Sequence, residues 1–378
     1  MYKEGYDTIS GDDPYKGIEY VNGTAILVPG PQKGFKSQGF TFNTQGLRVE
    51  CENLGARAHG PRAGCSGFRH EGSMMKVVTR GLRFPEGPVA LADGSVLVVE
   101  IERGTLTMVH PDGRQTIVAR PGGGPNGAAI GPDGACYVCN NGGFSWANTD
   151  VGLRPVGIPD DYAGGRIERI DLAAGTVERL YDDAGGRPLR GPNDLVFDRH
   201  GGLWFTDAGK FDNNGRDFGA VCYALSDGSR CIRVGAPMIS PNGIGLSPDE
   251  TILYVAETMT ARLWAFDLAS PGVIRRSDNG SPHGGRMLFA SPVYQSFDSL
   301  AVDSDGNICI ATLVTGGITV ISPAGRQLDF VKCPDPQTTN ICFGGADLCT
   351  AFVTLSGIGE LVSLSWPRPG LPLNFLNR

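Results

Sequence analysis

Six oxygen-bearing side chains recur at matching points of one short pattern: Glu86, Asn126, Asn193, Asn242, Asp298 and Asn340. Each opens a stretch of about fifteen residues, from EGPVALADGSVLVVE (Glu86–Glu100) to NICFGGADLCTAFVT (Asn340–Thr354). Five of the six carry Asp seven positions on, at Asp93, Asp133, Asp249, Asp305 and Asp347; the third has His200 there, followed by Gly201 and Gly202. Carboxylate and carboxamide oxygens are what hard cations such as Ca²⁺ take, in sites of six to eight ligands. Glu, Asn, Asn and Asp converging on one axis would supply two negative charges and two neutral oxygens. Positions would remain open for water and substrate. No His or Cys opens a stretch, which argues against zinc. A single Asn or Asp could instead cap local backbone, and for Asn126 and Asn340 taken alone that reading is as good. Six in register weaken it.

The elements that must hold these residues follow from the same pattern. An apolar run lies on each side of the Asp-Gly-type turn, which reads as a β-hairpin. The openers are 40, 67, 49, 56 and 42 residues apart. A four-stranded propeller blade needs about 40–45 residues, so each hairpin is the inner pair of one blade and the surplus is loop. The fold expected is all-β, a six-bladed β-propeller over about residues 76–370. Closure of the ring removes long exposed sheet edges. The run Lys76–Phe84 needs a sheet to join, and the strand-like Gly359–Trp366 needs a partner, so the N-terminal strand is expected to complete the last blade.

Strand direction then puts all six openers on one face of the disc. The ends of the second strands share that face: Glu100, Asn140, Asp207, Glu257, Thr312 and Thr354. Cross-strand pairing of opener and partner predicts two polar rings around the channel mouth. The long connections Gly142–Gly165 (with Phe144, Trp146 and Tyr162), Asp207–Ala220 and Ser281–Phe297 (with His283) are placed on the same face. A polar floor under aromatic loops suits a small molecule.

Composition narrows the partners. Net charge is −7 without a basic cluster, which argues against nucleic acid. No apolar run approaches the roughly 20 residues of a membrane helix, and MYKEGYDTIS lacks the apolar core of a secretory signal. Ten cysteines are present. Cys136, Cys309 and Cys349 are expected in outgoing strands as small buried thiols, and Cys136 and Cys139 on opposite faces of one strand. They are read as mostly reduced and the protein as cytoplasmic. Residues 1–73 lack the repeat and are taken as an appended segment, with 74–378 as the propeller domain. The Pro-rich tail after Trp366 is expected outside any blade.

The motifs FPEGP at Glu86, GPNDLVFD at Asn193, SPNGIGLSPD at Asn242 and FDSLAVDSDGN at Asp298 resemble the gluconolactonase family. That family includes the senescence marker protein and luciferin-regenerating enzymes and is related to calcium-dependent phosphotriesterases. The resemblance covers roughly residues 76–370. It implies a divalent metal in the channel, Ca²⁺ first, with Zn²⁺, Mn²⁺ or Mg²⁺ as alternatives. By motif the ligands are Glu86, Asn242 and Asp298, with Asn193 on metal or substrate and Asp194 as its acidic neighbour. Where sugar-lactone members often carry Arg two residues before that Asn, this chain has Gly191, and Arg190 is the nearest arginine. The implied reaction is hydrolysis of a lactone or activated ester, the metal acting as Lewis acid. Asp298 serves as base or as nucleophile, a choice left open. Asp194 joins it as a catalytic candidate. Asn126, Trp146, Tyr162, Asp207 and His283 are candidates for substrate contact. No G-x-S-x-G elbow supports a serine hydrolase. The competing readings are a calcium-dependent phosphotriesterase and a metal-free propeller, strictosidine-synthase-like or binding.

Overall fold

A computed structural model describes residues 15–21, 24–29 and 75–378 apart from 279. Two compact units separate, Met1–Cys65 and Ser66–Arg378. Of the first, only an antiparallel hairpin is described, Tyr15–Val21 with Thr24–Pro29. The rest of the segment 1–73 lies outside the described residues. No helix occurs among the described residues, so none there is long and apolar enough to cross a membrane.

The second unit is a six-bladed β-propeller. The inner strands are Pro85–Ala90, Pro125–Ile130, Pro192–Phe197, Pro241–Leu246, Ser296–Val302 and Thr338–Gly344. Blades are numbered 1 to 6 in that order. Each inner strand returns through an Asp-Gly-type turn to a second strand, as the repeat predicts. Lys76–Arg80 pairs antiparallel with Glu360–Ser365 and becomes the outer strand of blade 6, closing the ring. Blade 4 departs from four strands: Val273–Arg275 and Arg286–Ala290 both pair its third strand, Arg262–Ser270.

The core lies between blades, because each sheet presents alternate side chains to its two neighbours. Blade 2 shows this at Cys136–Asn140. Cys136 and Val138 join the cluster with Leu97 and Val99 of blade 1, while Tyr137 and Cys139 join Phe197 and Phe205 of blade 3. The two thiols therefore face opposite ways, as strand alternation requires. The eight described cysteines form no disulfide. Cys349 differs from expectation: it precedes the strand Thr350–Leu355 and is only half-buried.

Two insertions rise from the face that carries the openers. In blade 2 the connection 141–165 contains a hairpin, Ser145–Thr149 with Gly152–Gly157. It arches over blade 1, where Trp146 meets Phe84 at 4.9 Å. Its tip reaches blade 6, where Leu153 N donates to Gly357 O (2.9 Å). In blade 3 a short hairpin, Phe211–Asp212 with Gly215–Arg216, does the same on a smaller scale. The C-terminal tail lies outside the blades but not free of them. Leu371 N donates to Val302 O and Gly370 N to Leu348 O, both at 2.9 Å, on the opposite face of the disc.

Candidate active site

The inner strands converge on the axis, and glycine follows the opener where backbone meets backbone. A Cβ on Gly87 would stand 2.6 Å from Asn126 O, and one on Gly243 2.6 Å from Asp298 O. In each blade the ladder also slips beside the opener, between Glu86 and Val89, Pro125 and Ala128, Pro192 and Leu195, Pro241 and Ile244, Phe297 and Leu300, and Thr338 and Asn340. Such bulges re-aim a side chain, and six of them surround the axis.

The bulges overturn the second polar ring in five blades; in blade 6 Asn340 pairs with Thr354 as expected. Glu100 pairs with Pro85, Asn140 with Pro125, Asp207 with Pro192 and Glu257 with Pro241, each the residue before an opener. A one-residue slip sends a strand side chain to the other face. These groups clamp loops instead. Glu100 accepts from Arg83 N (2.7 Å) and Thr107 Oγ1 (2.6 Å), and Glu257 from Ile239 N (2.8 Å). Asp207, expected to touch substrate, accepts from the amides of Gly191 (2.7 Å), Arg190 (3.2 Å) and Gly209 (3.2 Å). Its oxygens serve the loop.

The openers themselves form a cluster of buried acids. Glu86 Oε2 accepts from Asn340 Nδ2 (2.7 Å) and Gly87 N (2.8 Å). Burial still holds its carboxyl well above the ordinary range. Asp194 is pushed up to about 8 by burial and then by the charge of Glu86. Asp298 is raised well above its usual value by burial first, then by Glu86, with Asp194 adding to it. The charge of Glu86 thus reaches both aspartates, and that of Asp194 reaches Asp298. Asn242 stands beside them. Its Nδ2 donates to Thr258 Oγ1 (3.0 Å), which fixes the amide, and its Oδ1 lies 3.4 Å from Ser299 Oγ. Asn193 Oδ1 is buried with no hydrogen-bond partner. Asn126 is buried at the start of the inner strand of blade 2.

An orphaned carboxamide oxygen among mutually repelling carboxyls fits a hard cation, which takes such oxygens and would reverse the repulsion. Among the described residues no three His, Cys, Asp or Glu side chains converge closely enough to hold a metal alone. A cation at this point would need a mixed donor set, completed by carboxamides.

Asn340, Ser299 and Thr258 were not singled out from the sequence as site residues, yet each orients an opener. For Asn340 the signal was its place in the repeat. Lys210 gave none. It lies in the blade 3 insertion and is 1 % exposed. Its Nζ donates to Gly143 O (2.5 Å) and Asn141 Oδ1 (3.2 Å) and sits 4.0 Å from the Phe144 ring centre and 5.1 Å from that of Tyr162. Tyr162 OH donates to Arg190 O (2.6 Å), and Arg190 pairs with Asp217 (3.0 Å). The two insertions are thus stitched at the mouth by a cation–aromatic cluster.

Burial pulls Lys210 down to about 7, with Arg190 adding and Asp207 opposing. Below pH 7 it is charged in both folded and unfolded chains, and the cost of burying the charge is complete. Between pH 7 and the unfolded value of about 10.4 the folded chain sheds the proton first, so this cost shrinks as pH rises. Replacing Lys210 by Met removes the effect. The Tm of Lys210→Met minus that of wild type is expected to fall steadily from pH 7 to pH 10; a difference independent of pH would contradict the burial described.

His283 is not at the mouth. It precedes Arg286–Ala290, which runs back toward the mouth with Ala290 opposite Arg262. His283 therefore lies below the mouth, inside the wall between blades 3 and 4, where a Cβ on Gly235 would stand 3.4 Å from its carbonyl oxygen. It is buried edge-on to Trp264 (4.4 Å) and beside Phe266 (5.5 Å), where burial lowers its pKa. The stretch 281–297 was read as one loop, but it contains a strand, which carries its two ends to opposite faces.

Comparison with known proteins agrees with this architecture. Residues 84–357 match the model of the SMP-30/Gluconolactonase/LRE-like region. A gluconolactonase of Zymomonas mobilis subsp. mobilis is 26% identical over 301 residues, covering 71% of this chain and 76% of that protein. The lactonase drp35 of Staphylococcus haemolyticus is 28% identical over 262 residues, covering 69% and 72%. The calcium-binding protein regucalcin of Agrobacterium tumefaciens superposes with a TM-score of 0.61 at 20% identity, covering 81% of this chain and 98% of that one. With a family match running from the first blade into the last, on the propeller just described, the chain is a member of the SMP-30/gluconolactonase/LRE-like family.

Proposed function

We propose that this protein hydrolyses a lactone at the ring of openers, with a divalent cation, Ca²⁺ first, as its cofactor. The observation that carries this reading is the cluster of Glu86, Asp194 and Asp298. Burial raises all three carboxyls, and the charge of Glu86 raises Asp194 and Asp298 further, beside an orphaned Asn193 oxygen. Such a cluster is costly unless it serves a cation or a reaction. Glu86, Asn193, Asn242 and Asp298 would hold the cation, which supplies Lewis-acid polarisation of the lactone carbonyl when bound. The relatives named as a gluconolactonase and a lactonase support the reaction class, and the regucalcin with this fold is described as calcium-binding.

The chain's own residues then divide the work. Asp298 accepts a proton from the attacking water. Asp194, whose pKa burial and the charge of Glu86 both raise, is the candidate to pass a proton to the ring oxygen that leaves. Asn340 and Gly87 N hold Glu86 in one orientation. The aromatic mouth shields the reacting atoms from bulk water. Turnover of a panel of lactones and phosphotriesters at fixed Ca²⁺ tests the class: lactones are expected to be opened and phosphotriesters spared, and the reverse order would favour the phosphotriesterase reading.

The mouth should govern which lactone is accepted. Trp146 packs between Phe84 and Phe144 on the hairpin that arches over blade 1. Trp146→Ala is expected to change the ranking among lactones several-fold and to leave bound cation unchanged. Equal loss on every lactone, or loss of the cation, would count against this role.

A further inference from the structure

Beneath the acid cluster the channel changes character. A cavity of about 110 Å³ continues along the axis, lined by all six inner strands. Gly87, Asp194 and Asn340 border it at the level of the openers. Further down, its walls are apolar, with Ile130, Val196, Leu246 and Val302 among them. Asn and Asp give way to these residues because the inner strands are buried on both faces below the bulges.

The tail crosses the far end. Leu371 packs with the cluster of blades 4 and 5, Phe375 with that of blades 2 and 3, and Leu376 with that of blades 1 and 2. The chain therefore crosses the axis rather than following the rim. Asn374 Nδ2 pins it to Phe197 O (3.1 Å) and Glu250 Oε1 (2.9 Å), and the Phe375 ring stands edge-on to Phe197 at 5.9 Å. Leu371 and Leu376, both partly buried, border the cavity, and the exposed Leu373 stands at its outer edge. The result is a largely apolar chamber, with the acid cluster at one end and the polar tail residues Asn374, Asn377 and Arg378 at the other.

An apolar cavity of about 150 Å³ stays dry and admits a benzene molecule. On that scale 110 Å³ holds a chain of about four carbons. A polyhydroxylated substituent would lose its hydrogen bonds to water here and find few replacements, at a cost of about 1–3 kcal/mol for each unpaired group. We propose that this chamber takes an unbranched alkyl substituent of the lactone substrate, of up to about four carbons, while the ring carbonyl lies at the openers. This inference rests on the lactone-hydrolase reading and adds its substrate class: an apolar, alkyl-substituted lactone rather than a sugar lactone.

The test compares γ-lactones whose ring carbon next to the ring oxygen carries hydrogen, methyl, ethyl, propyl, butyl or hexyl. In the wild type, kcat/KM is expected to rise about threefold to fourfold per methylene up to butyl and to fall at hexyl. Ala128 and Ala301 border the cavity and are partly exposed to it. Ala128→Leu and Ala301→Leu should flatten the series, read in each variant as the ratio of every alkyl lactone to the unsubstituted one. A wild-type series without slope, or a slope that survives both fillings, overturns the chamber assignment. If no lactone is opened at all, it is the hydrolase reading that fails. Calorimetry with 5-butylpyrrolidin-2-one and unsubstituted pyrrolidin-2-one then reads the chamber directly. Tighter binding of the butyl compound to wild type, lost in Ala301→Leu, supports it; equal binding overturns it.

Discussion

Asp298→Asn is expected to lower kcat for lactone opening by about 10²–10⁴-fold, the range in which a positioned general base contributes. The carboxyl is buried, and its nearest charged neighbours are Glu86 and Asp194. No cationic side chain is among the influences on it, so its ionised form depends on whatever cation the ring binds. Asn keeps an oxygen at the same point and nearly the same volume, and the backbone of Asp298 still packs against Gly243. The variant should therefore fold. Because a repelled carboxyl has been removed, its Tm without cation should equal or exceed that of wild type. Asn126→Ala is the comparison: as a candidate for substrate contact outside the proposed cation ligands, it should retain most of the turnover. Normal hydrolysis by Asp298→Asn would remove Asp298 from the reaction as base and as nucleophile alike.

Glu86→Gln should act on the cation more than on the fold. Ca²⁺ at about 100 times its Kd stabilises a folded chain by about 2.7 kcal/mol. In a domain of this size that corresponds to about 5 °C in Tm. The shift is expected in chelated wild type on return of Ca²⁺ and should be mostly absent in Glu86→Gln, which removes one of the two charges among the proposed ligands. Asn340→Ala should weaken the shift less, because it frees Glu86 Oε2 without removing charge. An undiminished shift in Glu86→Gln would place the cation elsewhere. The same experiment at several pH values has a definite sign. The carboxyls must lose protons to take a cation, so its apparent affinity should rise with pH through the neutral range.

The blade count, the ring closure and the common face of the openers were legible because a period of about 40 residues and an Asp-Gly turn are local signals. The ladder slips were not. A bulge beside Glu86 or Asn242 depends on inner strands crowding an axis, which no single hairpin encodes. Counting residues around the turn therefore placed Glu100 and Asp207 at the mouth when they hold loops. His283 was misplaced for a related reason. A short strand hidden inside 281–297 reverses the direction of the chain there. Lys210 had no sequence signature because its partners, Gly143 O and the rings of Phe144 and Tyr162, come from another blade's insertion. The tail read as Pro-rich and separate; its leucines become meaningful only where it crosses the far end of the channel.

Lactone hydrolysis by wild-type protein after exhaustive chelation, followed by stepwise return of Ca²⁺, tests the proposed chemistry most directly. Activity is expected to fall to near the uncatalysed rate on chelation. It should return in proportion to one cation bound per chain, with the binding curve and the activity curve superimposed. Full activity in the chelated protein would contradict a cation-dependent reaction at Glu86, Asn193, Asn242 and Asp298.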